Sequence, residues 1–539
     1  MLLDTLPSNI HKQILQYLRS WDYTQTDLRS LSQVSRHLRN LTLPSVYEYF
    51  TLTDIILSQD YGNFSAVQPH LSRVLVADDP EISDDQWVVT LDELERMSWE
   101  HVRMVSVELE GLRCRQGAEC RRRILAFVHG RLGHVAELWV GLGAGSSEVE
   151  RFFTSGGSGA FAQVEELRVI GKTMGAEVLG MQIPEYPHLT VVYLDGSAAR
   201  STDILEVVRR SSSTLADLNM DEFQAEMAVA LGMSPLAEPS VVYPVLRRLA
   251  VSSANDHEGD LLDGRSLPAV ASLYCSQTQY PVYSGSNIIS NSTQVRLLRH
   301  PWPAARCLAV DALSRGDLLL LGESLPQLQV LSVGALGGDV HLGDIHRPAA
   351  ALQMRDLGAV LSALPGLVDL RIEVPEPYED MYTGLVEEPG NAVDRPADPL
   401  MLATDLVPEP HLALRHLTVN AWALTFDQIL GVIDALPQLN ALECVLLFSS
   451  RHPATRQIHA GGNHLASVSL AHTVPLRMKH VFKANLLRFA GALAGKRLRA
   501  LDVYGALEIT GIEKTLERAL PGCVTNFYPL VPSFEQGYE

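Results

Sequence analysis

A six-residue pattern, apolar-x-x-apolar-x-apolar, returns fifteen times along the 539 residues and narrows the fold more than any other property of the chain. In the C-terminal half it reads Leu328/Leu331/Val333, Leu367/Leu370/Ile372, Leu414/Leu417/Val419, Leu439/Leu442/Cys444, Leu465/Val468/Leu470 and Leu498/Leu501/Val503. Upstream it reads Leu71/Val74/Val76, Val102/Val105/Val107, Val135/Leu138/Val140, Val164/Leu167/Val169, Leu189/Val192/Leu194, Leu215/Leu218/Met220, Leu246/Leu249/Val251, Val270/Leu273/Cys275 and Ala305/Leu308/Val310. With 46% apolar residues such strings also arise by chance, so the spacing decides. From middle residue to middle residue the steps are 31, 33, 29, 25, 26, 31, 24, 35, 23, 39, 47, 25, 26 and 33, and twelve of the fourteen fall between 23 and 35.

That interval accommodates one strand and one helix or loop per unit, close to the period of a leucine-rich solenoid. Several units carry proline two residues before the first leucine, as in Leu325-Pro326-Gln327-Leu328, where it ends a helix and delivers the chain extended into the next strand. Residues 202–210, 352–364, 425–436 and 510–520 place apolar residues three and four apart, as amphipathic helices do. Thr425 with Gln428, and Thr510 with Glu513, read as capping boxes that satisfy the free amides of a first turn. The expected fold class is α/β, a solenoid over residues 51–530 with a parallel sheet on its concave side. A doubly wound α/β domain shows the same alternation, but fifteen parallel strands exceed the usual open sheet.

Two stretches break the period. Residues 276–303 are rich in Ser, Asn, Gln, Tyr and Pro, and 373–411 hold ten acidic residues against one arginine, so both read as loop insertions. Charge then bears on partners. With 63 acidic and 43 basic residues the chain carries a net charge of -20, which disfavours nucleic acid and anionic lipid as ligands. MLLDTLPSN does not read as a secretory signal, and no eighteen-residue apolar run suggests a membrane span. Six sparse cysteines in mostly apolar strings read as reduced, buried thiols, which implies a cytoplasmic or nuclear location.

The first fifty residues differ in character. Ile10, Ile14, Leu15 and Leu18 form one face of a helix, and a second helix capped by Asp27 carries Leu28, Leu31 and Val34 before Pro44. About forty residues with this many aliphatics make a poor core alone, so part of that surface requires cover by a partner or by the end of the solenoid. The strings LPSNIHKQILQYL and DLRSLSQVSRHLRNLTLPSVY resemble an F-box, with Leu6-Pro7, Ile14-Leu15 and Val34-Ser35-Arg36 at the places such boxes use. Asn9 stands where an acidic residue is commoner, and the segment 20–26 is longer than usual. The remainder resembles more loosely the irregular leucine-rich repeats of fungal F-box proteins. The resemblance implies a small all-helical domain at 1–50 that docks a Skp-type adaptor, and through it a cullin, while the repeats hold a protein substrate for ubiquitin transfer. Leu6, Pro7, Ile10, Ile14, Leu15, Leu18, Leu28, Leu31 and Val34 would then supply the adaptor contact and part of the box's own core. A helical cap on a scaffold with no ubiquitin connection remains the alternative.

No catalytic, metal or cofactor constellation stands out, so a non-enzymatic, cofactor-free protein is expected. Gly141, Gly143 and Gly145 lack the third glycine of a dinucleotide fingerprint, Ser146 standing in its place. Cys114 and Cys120 have no second pair, and Ser158 lies outside a nucleophile elbow. The basic run Arg121-Arg122-Arg123 reads as the wet face of a helix. Since the pattern residues point to the core, their immediate neighbours alternate onto the opposite face of the sheet. Glu108, Glu137, Trp139, Glu166, Arg168, Tyr193, Asp195, Asp217, Asp221 and Tyr274 are the candidate substrate contacts on that face. Over all units the stripe holds eleven acidic and four basic residues, which suits a basic segment of a partner and no nucleic acid or membrane. Closing a longer loop costs only slightly more than closing a short one. Deletion of residues 376–408 is therefore expected to leave the cooperative thermal transition within about 5 °C of the parent chain. Loss of that transition would make the acidic stretch a structural element.

Overall fold

The computed structural model describes residues 49–52, 71–77, 82–108, 118–142, 160–171, 185–196, 202–221, 223, 225–233, 241–253, 262, 264–277, 301–310, 315–333, 357–372, 411–446, 458, 464–471, 479–504 and 512–528. It divides into two compact units, 1–247 and 248–539. The F-box-like residues, Leu6 to Val34, lie outside the described residues, as does Thr510.

All fifteen pattern strings fold as strands, and every strand pair is parallel. In the first unit β1 (Tyr49–Thr51), β2 (Arg73–Val76), β3 (Met104–Glu108), β4 (Glu137–Leu142), β5 (Glu166–Gly171), β6 (Val191–Gly196) and β7 (Asp217–Met220) pair in chain order. In the second, the same holds for β8 (Arg248–Ser253), β9 (Ser272–Gln277), β10 (Cys307–Val310), β11 (Val330–Val333) and β12 (Asp369–Ile372). It continues through β13 (His416–Leu424), β14 (Ala441–Leu446), β15 (Ser467–Ala471), β16 (Ala500–Tyr504) and β17 (Val524–Tyr528). Parallel strands in chain order are the topology of a solenoid-like repeat and not of a doubly wound sheet, in which strand order reverses.

Register follows the pattern. The middle residues pair with one another as Val74, Val105, Leu138, Leu167, Val192 and Leu218 in the first unit. In the second they pair from Leu249 through Leu273, Leu308, Leu331, Leu370, Leu417, Leu442 and Val468 to Leu501. None of the fifteen is more than 2% exposed. Ahead of most strands one carbonyl accepts two successive amides of the next unit: Arg103 O takes the N–H groups of Ala136 and Glu137, and Ala136 O those of Glu165 and Glu166. The second unit repeats the arrangement at Ala271, Arg306, Gln329, Val368, Arg415, Asn440 and Ala466. Two lone pairs on one oxygen thus fix where each strand begins.

Three residues before the pattern a further large residue closes a turn. Val102 N–H donates to Trp99 O, Val164 to Phe161 O, Leu246 to Tyr243 O, Ala305 to Trp302 O and Leu328 to Leu325 O. These turn residues are buried, which extends the repeating core string by one position. Where the turn residue is His411, Leu414 N–H donates to its Nδ1 instead at 3.1 Å, so Nε2 carries the ring proton and donates to Leu364 O at 2.9 Å. Of the two expected insertions, Ser276 and Gln277 extend β9 while Trp302 and His411 are buried; 278–300 and 373–410 lie outside the described residues.

Helices cover the repeats where the connections are described. They are α1 (Asp84–Leu94), α2 (Ala118–Arg131), α3 (Thr202–Arg210), α4 (Ala225–Ala230) and α5 (Arg315–Ser324), then α6 (Leu357–Ala363), α7 (Phe426–Ala435), α8 (Lys479–Leu493) and α9 (Ile512–Ala519). The capping box of Thr425 with Gln428 starts α7 as expected, and Ser83 with Gln86 makes an equivalent one on α1. Aromatic contacts tie helices together: Trp99 meets Phe127 of α2 edge-on at 5.4 Å, and Phe426 of α7 lies 5.2 Å from Phe489 of α8. No described helix is long and apolar enough to cross a membrane, and the five described cysteines carry no disulfide.

Two strands go beyond the fifteen. In β1, Phe50 pairs with Val74, so Tyr47/Phe50/Leu52 is the pattern with aromatics in its first two positions. In β17, Thr525 pairs with Leu501 and Val524 is 60% exposed, as suits a terminal strand with less to bury. Leu442→Ala should cost about 2–5 kcal/mol by leaving a cavity in the ladder, whereas Val524→Ala should change stability by under about 0.5 kcal/mol. Urea unfolding of the two variants checks the contrast, and equal losses would contradict it.

Candidate functional site

Burial of the pattern residues forces their neighbours to the other face of each sheet. Taking the middle residue as reference, three rows of mixed polar and apolar residues result. One residue before it on β3 to β6 stand Met104, Glu137, Glu166 and Val191 in register, and one residue after it stand Ser106, Trp139, Arg168 and Tyr193. Three residues after it stand Glu108, Gly141, Ile170 and Asp195. Asp217 and Asp221 follow on and just after β7, so the expected contacts from Glu108 to Asp221 do share one face of the first unit. Adjacent strands separate neighbours in a row by about 4.8 Å.

Arg168 occupies the centre of this face. Its guanidinium carbon lies 4.7 Å from the Trp139 ring centroid and 5.9 Å from that of Tyr193, so both flanking π faces take up the cation. Glu137 and Glu166 lie side by side in the next row. Burial, and then the neighbouring Glu137 carboxylate, push the Glu166 carboxyl above the usual range. Asp217 adds in the same direction, while the Trp139 N–H and Arg168 oppose it. Trp139 Nε1 is itself buried without a hydrogen bond of good geometry, so its help to Glu166 is electrostatic.

Four carboxylates elsewhere on this unit are paired. Glu93 meets Arg96 at 2.8 Å, Glu119 meets Arg122 at 2.5 Å, Glu206 meets Arg209 and Arg210, and Asp92 holds Arg123. The basic run on α2 is thereby a solvated helix face, as expected. Among the described residues Glu108, Glu137, Glu166 and Asp195 form no salt bridge.

Tyr274 belongs to the second unit and has its own neighbours. Arg248 lies 5.1 Å from its ring centroid, and the Cys307 thiol stands 4.0 Å from its hydroxyl. Burial pushes the Cys307 thiol up, with the Tyr274 hydroxyl pulling the other way. Asp369 is paired with Arg371 at 3.1 Å, with His416 Nδ1 3.9 Å away, and Asp502 accepts from Asn526 Nδ2 at 2.8 Å. Cys307 and His416 sit one residue before their pattern leucines, so the alternation that places Glu137 also places them. The expected face residues Asp311 and Glu373 lie outside the described residues. No protein-family model and no curated protein matches the chain.

Two carboxylates on adjacent strands thus stand beside an aromatic-flanked cation. Among the described residues no group of three His, Cys, Asp or Glu side chains converges as a metal site. An acid whose folded-state pKa is raised binds its proton more tightly when folded, so the Glu166 contribution favours the fold at low pH and is lost as pH rises through the raised value. Glu166→Gln should therefore raise the thermal midpoint at neutral pH relative to the parent chain, and Arg168→Ala should lower it by removing the opposing cation. A scan from about pH 4 to 8 reads both effects, and an unchanged midpoint for Glu166→Gln at neutral pH would refute the placement.

Proposed function

We propose that the chain is the substrate-recognition adaptor of a Skp-cullin-F-box ubiquitin ligase, working in the cytoplasm or nucleus. Residues 6–50 dock the Skp-type adaptor and the repeats present their polar sheet face to a protein substrate. The observation that carries the substrate half is the sheet of the first unit, where a fully apolar face is matched on its other side by charged and aromatic side chains, four of the carboxylates without a salt bridge. The core does not need those groups, and burial together with the Glu137 carboxylate disfavours the charged form of Glu166, a cost that a partner's cation would offset.

The adaptor half is supported by Leu6-Pro7, Ile14-Leu15 and Val34-Ser35-Arg36 in their order along the sequence. On this reading the chain performs no bond chemistry and uses no cofactor. It holds a substrate at a fixed place relative to an enzyme recruited through the cullin, raising the local concentration of the acceptor lysine. Truncating a buried interface anchor costs about 2 kcal/mol or more. The Leu6→Ala, Pro7→Ala double variant should lose most of its binding to a purified Skp-type adaptor, with the melting transition of the repeats unchanged. Full retention of adaptor by the folded double variant, or no binding by the parent chain, would remove the ligase reading and leave a solenoid scaffold.

A further inference from the structure

Charge is divided unevenly along the second unit. From Cys444 to Leu507 the sequence holds nine lysines and arginines against one acid, Asp502, a net charge of +8 inside a chain of net -20. Residues 373–411 of the same unit hold ten acidic residues and one arginine. The basic stretch centres on α8, which carries no acidic residue. Phe482, Leu486, Phe489 and Leu493 fix its inner face and are fully buried. On the opposite face Val481, Ala484, Arg488 and Gly491 are exposed, at the three- and four-residue spacings that align side chains along a helix. Nothing among the described residues covers that face. Val481 is 39% exposed, and a Cβ built on Gly491, or on Gly495 just past the helix, would meet no atom within 4 Å. Arg497 and Arg499, both exposed, continue the positive charge from the end of α8 to the start of β16. Arg488, Arg497 and Arg499 form no salt bridge among the described residues, whereas Arg96, Arg122, Arg123, Arg209 and Arg210 of the first unit are all paired. The next helix, α9, is mixed, with Glu513 and Glu517 beside Lys514 and Arg518.

We infer that the acidic residues 373–411 dock on the outer face of α8 and the arginines just beyond it, so that the chain covers its own basic surface. Charge complementarity carries the assignment, and the repeat order permits it. The acidic segment follows β12 and precedes β13, and β15, which leads into α8, is two strands further along the same run of pairs, about 10 Å away. A segment of about forty residues reaches several times that distance, and its tether holds it near α8 at an effective concentration in the millimolar range. Glu379-Asp380 and Glu387-Glu388 bracket Met381, Tyr382, Leu385 and Val386, so the segment offers carboxylates to the arginines and apolar side chains to Val481 and Ala484. A nucleic acid suits the face less, because the rest of the chain repels phosphate and both phenylalanines of α8 are buried where no base can stack on them. Docking is independent of the ligase reading. As an exposed contact screened by salt it is also compatible with a small thermal effect of deleting residues 376–408.

The test supplies the acidic segment in trans. A fluorescein-labelled peptide of residues 373–411 is titrated with the chain lacking 376–408 and read by fluorescence anisotropy at two salt concentrations. The shortened chain should bind it, more weakly at the higher salt. The parent chain should bind it at least about fivefold more weakly, since its own segment holds the site at high effective concentration. In the shortened chain Arg488→Glu, Arg497→Glu and Arg499→Glu together should weaken binding about tenfold or more, whereas Arg131→Glu on α2 of the first unit should leave it unchanged. Thermal melts establish that each variant is folded, and the single Arg488→Glu variant, with an intermediate loss, serves if the triple variant is not. Absence of peptide binding by the shortened chain, equal binding by the parent, or unchanged binding by the folded α8 variants would overturn the inference. Tighter binding of a labelled single-stranded oligonucleotide than of the peptide would overturn it too, by marking the face as a nucleic-acid surface.

Discussion

The rest of the structure depends on the ladder of middle residues. A strand whose two faces differ tolerates no one-residue slip, because a slip would send a buried Leu442 to solvent and bring Glu443 into the core. Each unit adds one rung to an apolar row and takes its starting point from the doubly accepting carbonyl of the unit before. Contacts between neighbouring repeats therefore supply much of the order, which explains why the connections vary in length while the register does not.

That division of labour explains what the amino-acid order discloses. Strand centres were legible because burial leaves a chemical mark: Leu138, Leu167 and Leu331 have to be apolar. β1 was half legible, since Tyr47, Phe50 and Leu52 keep the pattern with aromatics, but Tyr47 also ends the F-box-like string. β17 was not, because Thr525 stands where a leucine would mark the strand and the strand has less to bury. The capping box at Ser83 was written in the sequence as plainly as the one at Thr425. Backbone devices such as the shared carbonyls leave no residue signature at all.

For the candidate site, alternation placed Glu137, Trp139, Glu166, Arg168 and Tyr193 on one face before any coordinates. What it did not disclose is which charges are satisfied. Asp369 and Glu166 look alike in sequence, yet one is paired with an arginine and the other is pressed against a second carboxylate. Arg371 lies two residues along the same strand as Asp369, whereas Glu137 reaches Glu166 from the neighbouring strand 29 residues away, a distance over which only the register tells which side chains meet. Cys307 and His416 share the face by the same alternation, although a lone thiol or imidazole carries no sign of it in the sequence.

The proposed function gives one chain two separable jobs: adaptor docking by residues 6–50 and substrate holding by the polar sheet faces. Hydrogen–deuterium exchange of the full chain, alone and with a Skp-type adaptor, tests that division directly. The account predicts new protection within residues 6–50, with exchange in β3 to β7 unchanged. Protection spread across those strands, or none in the first 50 residues, would contradict it.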